Sequence, residues 1–184
     1  MRRRPVLVNV GAALRRARTA AAVVPTAVLA TVLTAVLATV LAGCSGGAVD
    51  VGSTQPPAAQ QAACRSLLDA LPRHVADQPA RSVKPTHGWG AAWGDPPIVL
   101  TCGGPAPHGY GRASSCTTVN GVDWYVPEDQ LQPGGAPSEV TMTTVHRTVY
   151  VRVEMPADYW PPAATLADLS SAVKATIPRA GHCL

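Results

Sequence analysis

The feature that most constrains this chain is an uncharged apolar run near its N-terminus. From Thr26 to Ala42 the sequence contains only Ala, Val, Leu and Thr, with six arginines before this run and all 11 acidic residues of the chain after it. Because basic residues stay on the cytoplasmic side of a membrane, this arrangement directs the following polypeptide to the opposite side. The sequence therefore predicts a secretion signal over residues 1–43.

The apolar run ends in Leu41-Ala42-Gly43-Cys44. This motif resembles the lipobox of bacterial lipoproteins, in which small residues admit the processing peptidase and the cysteine thiol receives the lipid. We therefore predict that Cys44 is lipidated and that a lipid anchor holds the chain at the outer face of the cytoplasmic membrane. The alternative is an uncleaved transmembrane helix, although the run is short for a bilayer that needs about 20 apolar residues. The Gly-, Gln- and Pro-rich residues 44–61 predict a flexible stalk, which leaves 62–184 as one globular domain.

The basic charge of the chain belongs to the predicted signal. The net charge is +4, but removing the six N-terminal arginines from the 15 Lys and Arg residues leaves nine basic against 11 acidic residues, a charge of −2. Nucleic-acid binding requires clustered Lys and Arg, and the remaining chain has no such stripe. The sequence therefore predicts no nucleic-acid partner.

Four cysteines remain when Cys44 is set aside, namely Cys64, Cys102, Cys116 and Cys183. An even number of cysteines in an oxidising compartment favours two disulfides, with three possible pairings. If Cys102 ends one strand and Cys116 begins the next, a bond between them closes a short Gly/Pro-rich loop. We therefore predict the pairs Cys102–Cys116 and Cys64–Cys183, the second joining the two ends of the domain.

Two amphipathic helices are predicted, one at each end of the domain. Cys64, Leu67, Leu68 and Leu71 have helical spacing and end at Pro72, which places the sulfur of Cys64 on the buried face. Near the C-terminus, Thr165 and Asp168 suggest a capping box. The apolar stripe that follows ends at Pro178 and consists of Leu166, Leu169, Val173 and Ile177.

The segment between the helices predicts antiparallel strands. Residues 73–94 carry prolines and glycines and favour a long loop or an irregular edge, followed by a short strand over 98–102. Asn120-Gly121 predicts a tight type I′ hairpin, and residues 139–145 and 149–155 predict a second hairpin. The predicted fold is a two-layer α+β sandwich in which both helices pack on one face of an antiparallel sheet of four to five strands, with two disulfides.

Several segments together resemble a family of small exported proteins of actinobacteria that is classed as a domain of unknown function. The shared landmarks are Cys64 with Leu71-Pro72, the run from Trp93 to Gly103, Cys116 with the run from Val119 to Trp124, and Leu169-Ser170. They span nearly all of the predicted domain. The resemblance implies a membrane-anchored or lipoprotein location and assigns no reaction.

Two tryptophans and four polar residues are candidates for a functional site. Trp89 and Trp93 lie among glycines, and exposed indoles there would stack on sugar rings of the cell wall, although burial in the core is the favoured alternative. For a hydrolase or transferase, the candidates are His108, Ser114, Ser115 and Asp123, but no nucleophile motif accompanies them. A lipid carrier, the third possibility, requires a deep apolar cavity.

No metal or cofactor is predicted. The five histidines lack ligand spacing, no Cys-x-x-Cys pair is present, and Gly103-Gly104-Pro105 lacks the lysine of a phosphate loop. The sequence thus favours a non-catalytic envelope lipoprotein that binds a cell-wall component or an envelope protein, with a wall-modifying enzyme as the alternative.

Overall fold

The computed structural model describes residues 47–52, 55–131 and 138–183, so the predicted signal and Cys44 lie outside the described residues. Two α-helices occur in the described part, α1 (Ala58–Ala70) and α2 (Ala163–Thr176). Neither has the length and the apolar run that crossing a bilayer requires. The strands in chain order are β1 (Val49–Asp50), β2 (His74–Val75), β3 (Gln78–Arg81), β4 (Val83–Lys84), β5 (Gly90–Trp93), β6 (Ile98–Cys102), β7 (Thr117–Val119), β8 (Val122–Tyr125), β9 (Glu139–Val145) and β10 (Val151–Pro156).

The main sheet has eight strands in the order β2-β3-β5-β6-β10-β9-β8-β7, and all its pairings are antiparallel. A separate parallel pair joins β1 to β4. The α+β class and the antiparallel sheet are confirmed, but the predicted count of four to five strands is too low. The additional strands lie mostly in residues 73–94, where segments of two to four residues are too short to show an alternating pattern.

Both helices pack on the same face of the sheet and form one core with it. Leu67 of α1 and Leu169 of α2 are fully buried in a cluster with Leu100 of β6 and Val153 of β10. The predicted stripe of α2 is confirmed, because its four apolar residues are all buried. Burial of such side chains stabilises the fold by about 1.5–3 kcal/mol each.

The start of α2 differs from the predicted capping box. The helix begins at Ala163, with Pro162 at its N-cap and no side-chain cap. The Thr165 hydroxyl contacts the Met155 sulfur inside the core, and the Asp168 carboxylate accepts a hydrogen bond from the backbone N–H of Ala76 at 2.8 Å. Both side chains therefore connect the helix to the sheet instead of closing its first turn.

The ordered region also begins earlier than predicted. Helix α1 starts at Ala58, inside the stretch 44–61 that was predicted as a stalk. Ahead of it, Val51 is buried and its N–H donates to the carbonyl of Lys84. Parts of residues 47–61 therefore pack on the domain.

The two disulfides are present, but the predicted pairing is wrong. The bonds are Cys64–Cys102 and Cys116–Cys183. Cys102 ends β6, and β7 begins immediately after Cys116, yet three strands separate β6 from β7 in the sheet. At about 4.8 Å per strand, the two positions lie on the order of 19 Å apart, well beyond the reach of a disulfide. The pairing failed because it assumed that strands adjacent in sequence are neighbours in the sheet.

Candidate ligand-binding groove

The face of the sheet opposite the helices carries a groove. Every second residue of each strand points to this face, because successive side chains in a strand face opposite sides of the sheet. Residues of the long loop over 103–115, called the wall loop below, and residues 127–130 also line the groove. Its volume of about 1380 Å³ is large enough for an extended ligand.

One row of paired residues forms the floor of the groove. Thr101 of β6 pairs with Arg152 of β10, Arg152 pairs with Thr143 of β9, and Thr143 pairs with Tyr125 of β8. All four line the groove. The row thus places two threonine hydroxyls, one guanidinium and one phenol side by side on the sheet. Thr143 and Tyr125 are only 3% and 7% exposed, whereas the Arg152 side chain is 54% exposed, so Arg152 is the accessible polar group of this row.

The wall loop is attached to the domain at three points. Cys102 before it is bonded to α1 and Cys116 after it is bonded to the C-terminal segment. Between them, the ring of Tyr110 packs edge-on against Tyr125 with centroids 5.2 Å apart, and its hydroxyl lies 3.0 Å from Nε2 of His146. These contacts hold the wall over the floor.

His146 belongs to a chain of hydrogen bonds that ends at a buried carboxylate. Its Nδ1 lies 3.2 Å from Oδ2 of Asp123, which is only 3% exposed. A carboxylate can only accept, so Nδ1 carries the hydrogen, and in the neutral ring Nε2 then accepts from the Tyr110 hydroxyl. Asp123 also accepts from the Thr118 hydroxyl at 2.7 Å and from the backbone N–H of Cys183 at 3.1 Å.

The environment keeps Asp123 ionised. Burial by itself would raise the pKa of its carboxyl, but hydrogen bonds from Thr118, His146 and the Cys183 N–H, together with the charge of Arg179, lower the pKa overall. Burial raises the pKa of Tyr110, with the charges of Tyr150 and Asp123 adding to it, so the phenol stays protonated. Asp123, His146 and Tyr110 therefore connect the sheet to the wall loop through two hydrogen bonds, of which the one to the Asp123 carboxylate is charge-assisted.

One group of possible metal ligands occurs in the described residues. Cys116, His146 and Cys183 place one ligand atom each within 4.8 Å of one another. The two sulfurs are bonded to each other, which leaves only the imidazole as a possible ligand, and both of its nitrogens are already hydrogen-bonded. A single imidazole does not make a metal site.

The structure separates the two candidate tryptophans. Trp93 is 1% exposed and its indole N–H donates to the carbonyl of Pro72, so it belongs to the core and does not stack on a ligand. Trp89 is only half-buried and lines the groove. The guanidinium of Arg65 lies 3.8 Å from the centroid of the Trp89 ring, a cation–π contact.

The four residues of the predicted hydrolase site do not form one hydrogen-bonded relay. His108 and Ser114 both line the groove. The Ser114 hydroxyl, however, accepts from the N–H of Gly111 and donates to the carbonyl of Gly109, so it closes a turn of the wall loop. Asp123 binds His146 and not His108, and in the part of the chain that the structure describes no hydrogen bond connects Ser115 to either.

Three important residues were not candidates in the sequence. The sequence identified Arg152 only as a polar residue on the solvent-exposed face of a strand with alternating apolar and polar side chains. His146 stood among five unclustered histidines, and Tyr110 lay in a loop without a pattern. Their roles depend on which strands are neighbours, and only the fold provides that information.

These features define a small disulfide-linked α+β domain with a preformed groove on its open sheet face. A family profile described as "Protein of unknown function (DUF3515)" matches residues 22–181, so the chain belongs to this family. No curated protein and no solved structure shows a significant match to the chain.

Proposed function

We propose that this protein is an exported lipoprotein of the cell envelope, of the actinobacterial kind suggested by its sequence. Its N-terminal arginines, the apolar run after them and the motif at Leu41–Cys44 support export and lipidation of Cys44. The pairing of all four later cysteines suits an oxidising exterior. In this proposal the lipid holds the domain at the outer face of the cytoplasmic membrane.

The biochemical role we propose is non-catalytic binding of an envelope component in the groove. The observation that carries this proposal is the floor row of Thr101, Arg152, Thr143 and Tyr125 beneath a wall loop attached at three points. Ordering a loop upon binding costs free energy, and this loop is already attached, so the groove can bind with little reorganisation. A cell-wall component is the favoured ligand and an envelope protein the alternative.

Site-specific photo-crosslinking in the native host tests the groove proposal. A photoreactive amino acid would replace Arg112, an exposed residue of the wall loop that lines the groove. The matched control replaces Arg73, which is exposed and does not line the groove. We expect a covalent adduct at position 112 and none at position 73.

The mass and composition of the adduct would distinguish a glycan from a protein or a lipid. Equal labelling at both positions, or none at either, would contradict a binding role for the groove.

A further inference from the structure

We infer that the exposed segment 82–87 contacts the headgroup layer of an anionic bilayer, because the chain is fixed to the domain almost directly after Cys44. This inference rests on the proposed lipidation of Cys44 and specifies the surface through which the domain meets the membrane. The partner is the phosphate-rich face of the bilayer itself.

The N-terminal strand β1 fixes the start of the described chain to the domain. The guanidinium of Arg81 donates to the carbonyl of Gly47 at 3.2 Å. The N–H groups of Val49 and Val51 donate to backbone carbonyls of the adjacent β4 segment at 2.8 and 3.1 Å. The side chain of Val51 is 5% exposed and covers Gly90, where an added Cβ would lie 2.8 Å from the Cβ of Val51. The chain is therefore attached to the domain from Gly47 onward.

The connection between the proposed lipid and this strand is short. Cys44 and Gly47 are three residues apart, and an extended chain covers at most about 3.6 Å per residue, so they lie no more than roughly 11 Å apart. The headgroup layer on each side of a bilayer is itself roughly 5–8 Å thick. A lipid at position 44 therefore holds Gly47 within the headgroups or directly above them.

The segment 82–87 lies beside β1 and faces solvent. Val83 and Lys84 are the two residues that pair with β1, and every residue of the segment except Val83 is exposed. The segment contains Lys84 and no acidic residue. Arg81, directly before it, forms an ion pair with Asp95 at 3.9 Å and so adds no net charge. The part of the domain next to the lipid attachment is thus accessible and carries an unneutralised lysine.

Two neighbouring residues decide the sign of the charge on this surface. The exposed Arg65 of α1 lies beside the segment, since its guanidinium donates to the carbonyl of His87 at 3.4 Å. Asp50 of β1 is the pairing partner of Lys84 and is also exposed. Arg65 and Lys84 against Asp50 leave a formal charge of +1. Anionic headgroups attract Lys and Arg side chains close to the surface, so this charge turns the segment toward the bilayer.

Photo-crosslinking of the lipidated protein in vesicles of phosphatidylglycerol and phosphatidylcholine tests the contact. A photoreactive amino acid replaces Thr86 in the segment. The matched control replaces Thr117, an exposed threonine of β7, which is six strand spacings or roughly 30 Å from β3 at the other edge of the sheet. We expect lipid adducts at position 86 and none at position 117, identified by mass spectrometry.

Two changes separate the effect of the short connection from that of charge. Inserting 20 Gly and Ser residues between Gly46 and Gly47 adds a flexible reach of roughly 25 Å, so the adduct at position 86 should decrease strongly. Lys84→Gln should lower the adduct yield about fivefold, because one cation near the surface is lost. Lys174→Gln removes the same charge beside Gly121, at the far hairpin, and should leave the yield unchanged. Near-ultraviolet circular dichroism would verify that each variant remains folded.

Labelling with palmitate distinguishes failure of this inference from failure of the proposed function. If the protein carries palmitate but positions 86 and 117 give equal adducts, or none, the inference is wrong and the proposed lipidation stands. An adduct yield at position 86 that does not change after the insertion would also overturn the inference. A protein without palmitate would contradict both.

Discussion

Asp123 shows how one buried residue connects distant parts of this chain. It receives hydrogen bonds from the neighbouring strand, the turn after β9 and the C-terminal segment. In the sequence it was a candidate for a hydrolase or transferase site, and nothing in a linear sequence reveals His146 as its partner. Its structural role depends on the fold, which brings the turn after β9 and the C-terminal segment next to β8.

The substitution Asp123→Asn should lower the free energy of unfolding by about 2 kcal/mol at pH 7, because hydrogen bonds to an ionised buried acceptor are lost. Since the pKa of Asp123 is lowered, its stabilising effect is fully present above the ordinary value of 3.8 and is lost as the pH falls through the lowered pKa. The difference between wild type and variant should therefore shrink in acid. Urea unfolding at several pH values measures this.

Asp69→Asn is the matched control, because Asp69 is exposed on α1 and should change stability little. A pH-independent difference between wild type and Asp123→Asn would contradict the charge-based explanation.

At the scale of elements, the two hairpins with strong local sequence patterns were predicted correctly. The hairpin at Asn120-Gly121 is confirmed, with positive φ angles of 50° and 82° and with Val119 paired to Val122. The second hairpin is confirmed as well, and Val151, Val153 and Met155 are buried as the alternation predicts. The short strands between residues 74 and 93 were missed because two- to four-residue strands have no measurable period.

Replacing Gly121 by Ala should cost about 1 kcal/mol, because a side chain disfavours the positive φ that this turn requires. The added Cβ would meet only Lys174, at 3.4 Å or more, so the cost is conformational and not steric. Thermal unfolding measures the change. Gly111→Ala is the control, since a Cβ there meets nothing within 4 Å; equal destabilisation of both variants would contradict the explanation.

At the scale of the whole molecule, the groove could not be predicted from sequence. Its floor combines residues from β6, β10, β9 and β8, and this spatial order differs from the order along the chain. The order of helices and strands along the chain was sufficient to predict the fold class. To predict the groove, one would also have to know which strands are neighbours in the sheet. For the same reason Trp89 and Trp93 were treated as one candidate site, although Trp93 is buried in the core and Trp89 is only half-buried.

The predicted attachment to the membrane depends on Cys44. Replacing Cys44 by Ser should abolish incorporation of labelled palmitate in the native host and release the protein from the membrane fraction, because serine cannot form the thioether. The folded domain should remain intact, since its disulfides use other cysteines. Unchanged labelling of Cys44→Ser would show that the lipid is attached elsewhere.

The connectivity of the sulfur bridges has a consequence for proteolysis. Neither bridge crosses the segment 103–115, since Cys64 and Cys102 both precede it and Cys116 and Cys183 both follow it. Trypsin cleavage after Arg112 should therefore yield two pieces that separate in denaturant without any reductant. Pieces that stayed joined until thiol was added would reveal a bridge across the cut and a different connectivity. The groove wall is thus the place where one hydrolysed peptide bond divides the molecule into two chains held together only by non-covalent contacts, including the hydrogen bonds between β6 and β10.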